Sequence, residues 1–152
     1  MRSLVGLAAS FLLSMLATQL YATPGASEVL DQEEIQAIEA RISQAEPRYQ
    51  CFLYAKLVHD VTEESLHQYS AGNAKKAAGM LRKIQQLAQK ISDTVTRKDK
   101  RLKKAQLLLH KTSFRLSELL RSSRYQDRAL VEQTLSEVRQ AEEQAMMQVF
   151  SN

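Results

Sequence analysis

The sequence predicts an all-α protein, an antiparallel helical bundle built around a long central helix. Ala, Leu, Gln, Glu, Lys and Arg, all strong helix formers, dominate from residue 27 onward. No stretch alternates β-branched or aromatic residues with polar ones, as a half-buried strand would. After residue 22 the helix-ending residues are sparse: Gly25, Gly72 and Gly79, with Pro24 and Pro47.

The N-terminus reads as a secretory signal peptide over residues 1–22. Arg2 gives the positive start, and Leu4 to Ala17 is an uncharged, mostly apolar run of 14 residues. That is short of the roughly 20 residues a membrane span needs. Leu20-Tyr21-Ala22 before Thr23 offers a cleavage site; an apolar stretch reaching Tyr21 would instead be an uncleaved anchor. Cleavage leaves residues 23–152 as one helical domain with no membrane span, in the periplasm or outside the cell. The lone Cys51 then has two readings, a buried inert thiol or half of an intermolecular disulfide.

The first predicted helix spans residues 27–44. Ser27 caps it, Glu28 and Asp31 suit its first turn, and Ile35, Ile38 and Ile42 form its apolar stripe. Pro47 ends it and opens the second helix, 47–71, whose core line is Tyr54, Val58, Val61 and Ser65, flanked by Cys51, Leu57 and Tyr69. Phe52 and Leu66 lie off that line: either the first helix packs its isoleucine stripe there, or they line an exposed partner-binding groove with the first helix as a detachable arm. Gly72 suits a left-handed cap, and Asn73 can cap the third helix.

From Ala74 the apolar positions hold one register. Leu81, Ala88, Val95, Leu102, Leu109 and Leu116 are seven apart, and so are Ala77, Ile84, Ile91, Lys98, Ala105, Thr112 and Leu119. The phase passes through residues 96–104, which favours one helix over 74–122, with a kink or a break near 97–99 as the alternative. A break would put Lys100, Arg101 and Lys103 at the positive end of a helix dipole. Asp127 or Ser123 caps the last helix, 128–149, with Val131, Leu135, Val138, Ala145 and Val149 on its inner face.

Charge is segregated along the chain. Residues 27–72 carry a net −6, residues 73–128 a net +12, and residues 129–152 a net −3. Acidic helices flanking a basic one would neutralise much of this, with long Lys and Arg stems covering the seam. The densest stretch remains a candidate polyanion site: Arg97, Lys98, Lys100, Arg101, Lys103 and Lys104, answered locally only by Asp99. Nucleic acid is disfavoured by export and by the lack of an aromatic RNA platform or a DNA-binding motif.

Little else suggests chemistry, so no enzyme, cofactor or metal site is expected. Glu64 and His67 have the E-x-x-H spacing of a di-iron bundle, but the second such motif is missing. His59, Glu63 and His67 form an i, i+4 stripe about 140° to 220° around the helix from Tyr54, on an expected solvated face. His110 borders the Leu109 seam position. One cysteine excludes C-x-x-C-H haem attachment, and neither a nucleophile elbow nor a phosphate-cradling glycine loop occurs.

Two stretches resemble known groups. "YSAGNAKKAAGMLRK" (69–83) resembles the turn and second helix of a tetratricopeptide-type hairpin, with its Gly-Asn turn and Ala77 or Ala78 at a close crossing. The 34-residue repeat does not recur, which argues against a peptide-binding solenoid. "RYQCFLYAKLVHDVTE" (48–63) resembles a segment of uncharacterised exported helical bacterial proteins, a likeness that implies no activity. The function expected is therefore partner binding or self-association through the heptad seam, with Cys51 available for a disulfide. The alternative is attachment to an anionic envelope component through residues 97–104.

Overall fold

A computed structural model describes residues 30–151, and all the regular structure in them is helical. Helix α1 is Gln32–Ser43, α2 Pro47–Ser70, α3 Ala74–Thr94, α4 Leu102–Ser122 and α5 Tyr125–Phe150. The signal peptide and its cleavage site lie outside the described residues.

Helix α1 begins later than expected. Its cap is Asp31, whose Oδ1 accepts from the Glu34 backbone N–H at 2.8 Å; Ser27, the expected cap, lies outside the described residues. Asp31 wins on position, because Glu33 and Glu34 then fall in the first turn, at the positive end of the dipole. Helix α2 starts at Pro47 as expected. It ends with Gly72 in the left-handed region at φ 85°, where a side chain would be strained. The Asn73 N–H donates to Gln68 O at 2.9 Å and the Gly72 N–H to Tyr69 O at 3.1 Å, which completes a Schellman cap. Asn73 occupies the cap position of α3, but its side-chain amide donates to Gln68 Oε1 instead of capping.

The helix expected over 74–122 is two helices joined by residues 95–101. That connection is seven residues long, one heptad, so the apolar phase passes through it numerically although the helix does not. Two properties of the sequence end α3 there. Thr94, Val95 and Thr96 are β-branched neighbours with low helix propensity. A continuous helix would also stack Arg97, Lys100, Arg101 and Lys104 at i+3 and i+4, where like charges repel by about 0.2–0.5 kcal/mol per pair. Every other member of the two heptad series is buried; the exceptions are Val95 and Lys98, both in the connection. Helix α5 likewise opens at Tyr125, not 128, with Asp127 in its first turn and no side-chain cap.

Helices α2, α3, α5 and α4, in that order, form a four-helix square, and α1 packs outside on α2. Within each hairpin, α2/α3 and α4/α5, the helices are antiparallel. Across the hairpins α2 and α4 run parallel, since His59 meets Thr112, Glu63 meets Arg115 and Tyr69 meets Arg124. The α3–α4 connection therefore crosses a diagonal. With neighbours about 8–10 Å apart, the diagonal is about 11–14 Å, within reach of seven residues that can span about 23 Å. A two- or three-residue turn would instead have made α3 and α4 neighbours.

The core is one cluster running from Ile35 and Ile42 of α1 to Val138, Ala141 and Ala145 of α5. Leu57, Ile84, Leu87, Ile91, Leu109 and Leu116 are its largest fully buried side chains. The polar groups inside are paired: Thr62, Thr112, Ser113 and Thr134 hydroxyls donate to backbone carbonyls one turn back, and Ser65 Oγ donates to Ala77 O of α3. Among the described residues no buried side-chain nitrogen or oxygen lacks a partner.

Candidate anion-binding end of the bundle

The 95–101 connection is folded against the start of α2. Asp99 closes a tight turn: its Oδ2 accepts from the Thr96 N–H at 2.7 Å, while its own N–H donates to Thr96 O at 3.1 Å. The Lys100 N–H donates to Arg48 O, anchoring the loop to α2. Arg101 then adopts a left-handed conformation, φ 59°, the one non-glycine residue with positive φ among those described. Such a conformation costs roughly 1–2 kcal/mol. Its guanidinium lies 5.2 Å from the centre of the Phe52 ring, a cation–π contact that offsets part of this. Leu102 is buried and starts α4.

This geometry places all six cations singled out by the sequence on one exposed end. Arg97, Lys98, Lys100, Arg101, Lys103 and Lys104 are each exposed, and none lies within 4 Å of a carboxylate among the described residues. Asp99 does not pair with them, because its carboxylate is turned into the loop; burial pushes its pKa up, against the Thr96 N–H, which pulls it down. Arg101, Lys103 and Lys104 also occupy the cap position and first turn of α4, where the dipole is positive and acidic residues are favoured.

Elsewhere the acidic helices neutralise some cations of the basic ones, while Lys75, Lys76, Arg82, Lys111 and Arg121 stand without a carboxylate within 4 Å among the described residues. Glu39 of α1 binds Lys83 and Lys90 of α3, the latter at 2.5 Å. Glu63 of α2 grips Arg115 of α4 at 2.8 and 3.1 Å, and Arg115 also holds Glu118 at 2.6 Å. The Arg115 hydrogen bonds hold Glu63 below its ordinary pKa against the opposing effect of burial, and Glu63 and Glu118 raise that of Arg115. Glu142 of α5 accepts from Ser113 at 2.9 Å and lies 2.7 Å from His110 Nδ1.

The His59–Glu63–His67 stripe is not a solvated face. His59 Nδ1 is 3.2 Å from Thr112 Oγ1 and Glu63 is taken by Arg115, so the first two members face α4; only His67 is exposed. Phe52 and Leu66 share that side of α2 and are not covered by α1, which packs along the other flank, where Gln50 donates to Ser43 O and Ala45 O. The parallel packing of α2 on α4, which a continuous central helix would not allow, is the cause of both corrections. Cys51 is buried beneath the 95–101 connection, and burial, aided by the charge of Asp99, pushes its thiol up to about 12. An intermolecular disulfide at Cys51 would require that connection to lift.

Sequence reasoning missed a set of exposed apolar side chains on the second hairpin. Leu107, Phe114, Met146, Met147 and Phe150 are between 41% and 74% exposed. Leu107 and Phe114 are seven apart and offset from the Leu102–Leu109–Leu116 seam, a signal legible in the run "QLLLHKTSF". The fold and this end define a class, an all-α two-hairpin bundle with a concentrated basic end. No protein-family model, curated protein or solved structure matches the chain.

Proposed function

We propose that the protein is a non-enzymatic binding protein that attaches to an anionic polymer or surface outside the cytoplasm through the basic end of its bundle. The observation that carries this is the contrast within one chain. Lys83, Lys90 and Arg115 are matched with carboxylates from neighbouring helices and other unmatched cations such as Arg82 and Lys111 are dispersed, whereas 97–104 gathers six unmatched cations in eight positions. Like charges gathered at a helix start destabilise the fold, so an anion that neutralises them binds with electrostatic gain. Self-association through the heptad seam has less support, because that seam is taken up inside the bundle.

The test is binding of the purified protein to inorganic polyphosphate across a salt titration. Affinity should fall steeply as salt rises, and replacing Arg97, Lys98, Lys100, Arg101, Lys103 and Lys104 by Gln should abolish it. Binding that ignores both salt and these substitutions overturns the proposal.

A further inference from the structure

We infer that the exposed face of α4, with the adjoining end of α5, seats on an anionic lipid bilayer, so that the basic end is a membrane-surface attachment site. This rests on the anion-binding reading above and specifies its source. Helix α4 presents cationic and apolar side chains on one outward face: Leu107 lies one turn beyond Lys103, Lys111 one turn further, and Phe114 seven residues from Leu107. All four are exposed, Leu107 by 49% and Phe114 by 58%.

Helix α5 extends the same face. Arg139 contacts Ser117 and Glu142 contacts Ser113, so the pairing is antiparallel and Met146 and Phe150 come alongside the first turns of α4. Phe114 and Met146 line one groove between the two helices. Phe150 is 74% exposed. Of the acidic groups on this side, Glu142 is engaged by His110 and Ser113 and Glu118 by Arg115; Glu143 is exposed and lines the same groove as Phe114 and Met146, one carboxylate set against the many cations of this face.

A soluble polyanion would use the cations and gain nothing from these apolar groups. A bilayer uses both, since side chains such as Leu and Phe enter the headgroup boundary while Lys and Arg meet anionic headgroups. Charge complementarity therefore favours lipid over a second copy of the chain, which would bring six cations against six. Each cation near an anionic membrane strengthens attachment about fivefold. Among the described residues no helix is long and apolar enough to cross a membrane, so the attachment would be to the surface.

The experiment is cosedimentation with phosphatidylcholine vesicles, with and without phosphatidylglycerol, beside polyphosphate binding, for the native sequence and a Leu107→Ser, Phe150→Ser double variant. Both residues are exposed, so the variant should keep its helical content and melting temperature. The native protein should bind the phosphatidylglycerol vesicles and not the neutral ones. The variant should bind those vesicles about tenfold to thirtyfold more weakly while keeping its polyphosphate affinity within about twofold. Polyphosphate binding without vesicle binding, or vesicle binding indifferent to the two serines, overturns the lipid inference and leaves the anion-binding reading standing. Loss of the native protein's binding to both ligands overturns the two together. A variant whose solution mass halves, with vesicle affinity unchanged, assigns the face to a second copy and also overturns the inference.

Discussion

The two ends of the bundle solve the same problem, turning a helix back, with opposite regard for the fold. At the Gly72 end the turn itself agrees with the structure: glycine where φ is positive, a complete Schellman cap, and Tyr69 tying the hairpins together, although α3 also starts without a side-chain cap and with Lys75 and Lys76 in its first turn. The Tyr69 hydroxyl donates to Asp127 Oδ2 at 3.0 Å and accepts the Arg124 N–H at 2.8 Å, while Arg124 pairs with Asp127 at 3.1 Å. At the 95–101 end an arginine takes the left-handed position, α4 starts with no side-chain cap, and cations crowd its positive pole. Both ends lie over an equally well packed core, with Ala77 and Ile91 fully buried beneath them. The difference shows that local rules are broken where charge is concentrated, as expected when a segment serves something other than folding.

The largest effect should come from damaging the optimised end. Gly72→Ala should cost about 1–2 kcal/mol in urea denaturation. An added Cβ would meet nothing within 4 Å, so the loss would come from the backbone conformation alone. A substitution that left stability unchanged would remove the contrast between the ends.

A smaller effect is expected where neutralisation is complete. Burial pushes the Glu39 carboxyl up, but hydrogen bonds and charge from Lys83 and Lys90 outweigh it and hold its pKa below the ordinary value. A carboxyl held low in the folded chain adds stability above its unfolded pKa, about 4.3, and loses it as pH falls through the folded value. Glu39→Gln should therefore cost about 1 kcal/mol at neutral pH, a difference that closes below about pH 4. Melting curves of both proteins across that range would show it; a gap that persisted at low pH would assign Glu39 a packing role instead.

The fold class, the start of α2, the Gly72 turn and the inner faces of α2 and α5 are legible in the sequence because each rests on local spacing. Tyr54, Val58, Val61 and Ser65 are buried as their period requires, and so are Val131, Leu135, Val138 and Ala145. The break after Thr94 is harder to read, since a connection of one heptad hides itself in the very phase used to detect continuity. With α3 and α4 read as one helix, the parallel contact of α2 with α4 is hidden too, and the His59–Glu63 face falls to solvent. At the candidate site the six cations are visible as composition. That Asp99 turns inward to Thr96 and leaves them unanswered is a property of the folded loop, not of the charge count.

The smallest expected change in stability bears on the central claim, that the basic end is arranged for an anion at the expense of the fold. Lys103→Glu combined with Lys104→Glu places acidic groups in the first turn of α4, where the dipole favours them, and should stabilise the protein by about 0.5–1 kcal/mol at low ionic strength. The same variant should bind polyphosphate at least about tenfold more weakly. Measuring both quantities on one preparation is the direct test. Higher stability with lost binding is the predicted result; lower stability, or binding that survives the reversal of charge, would contradict it.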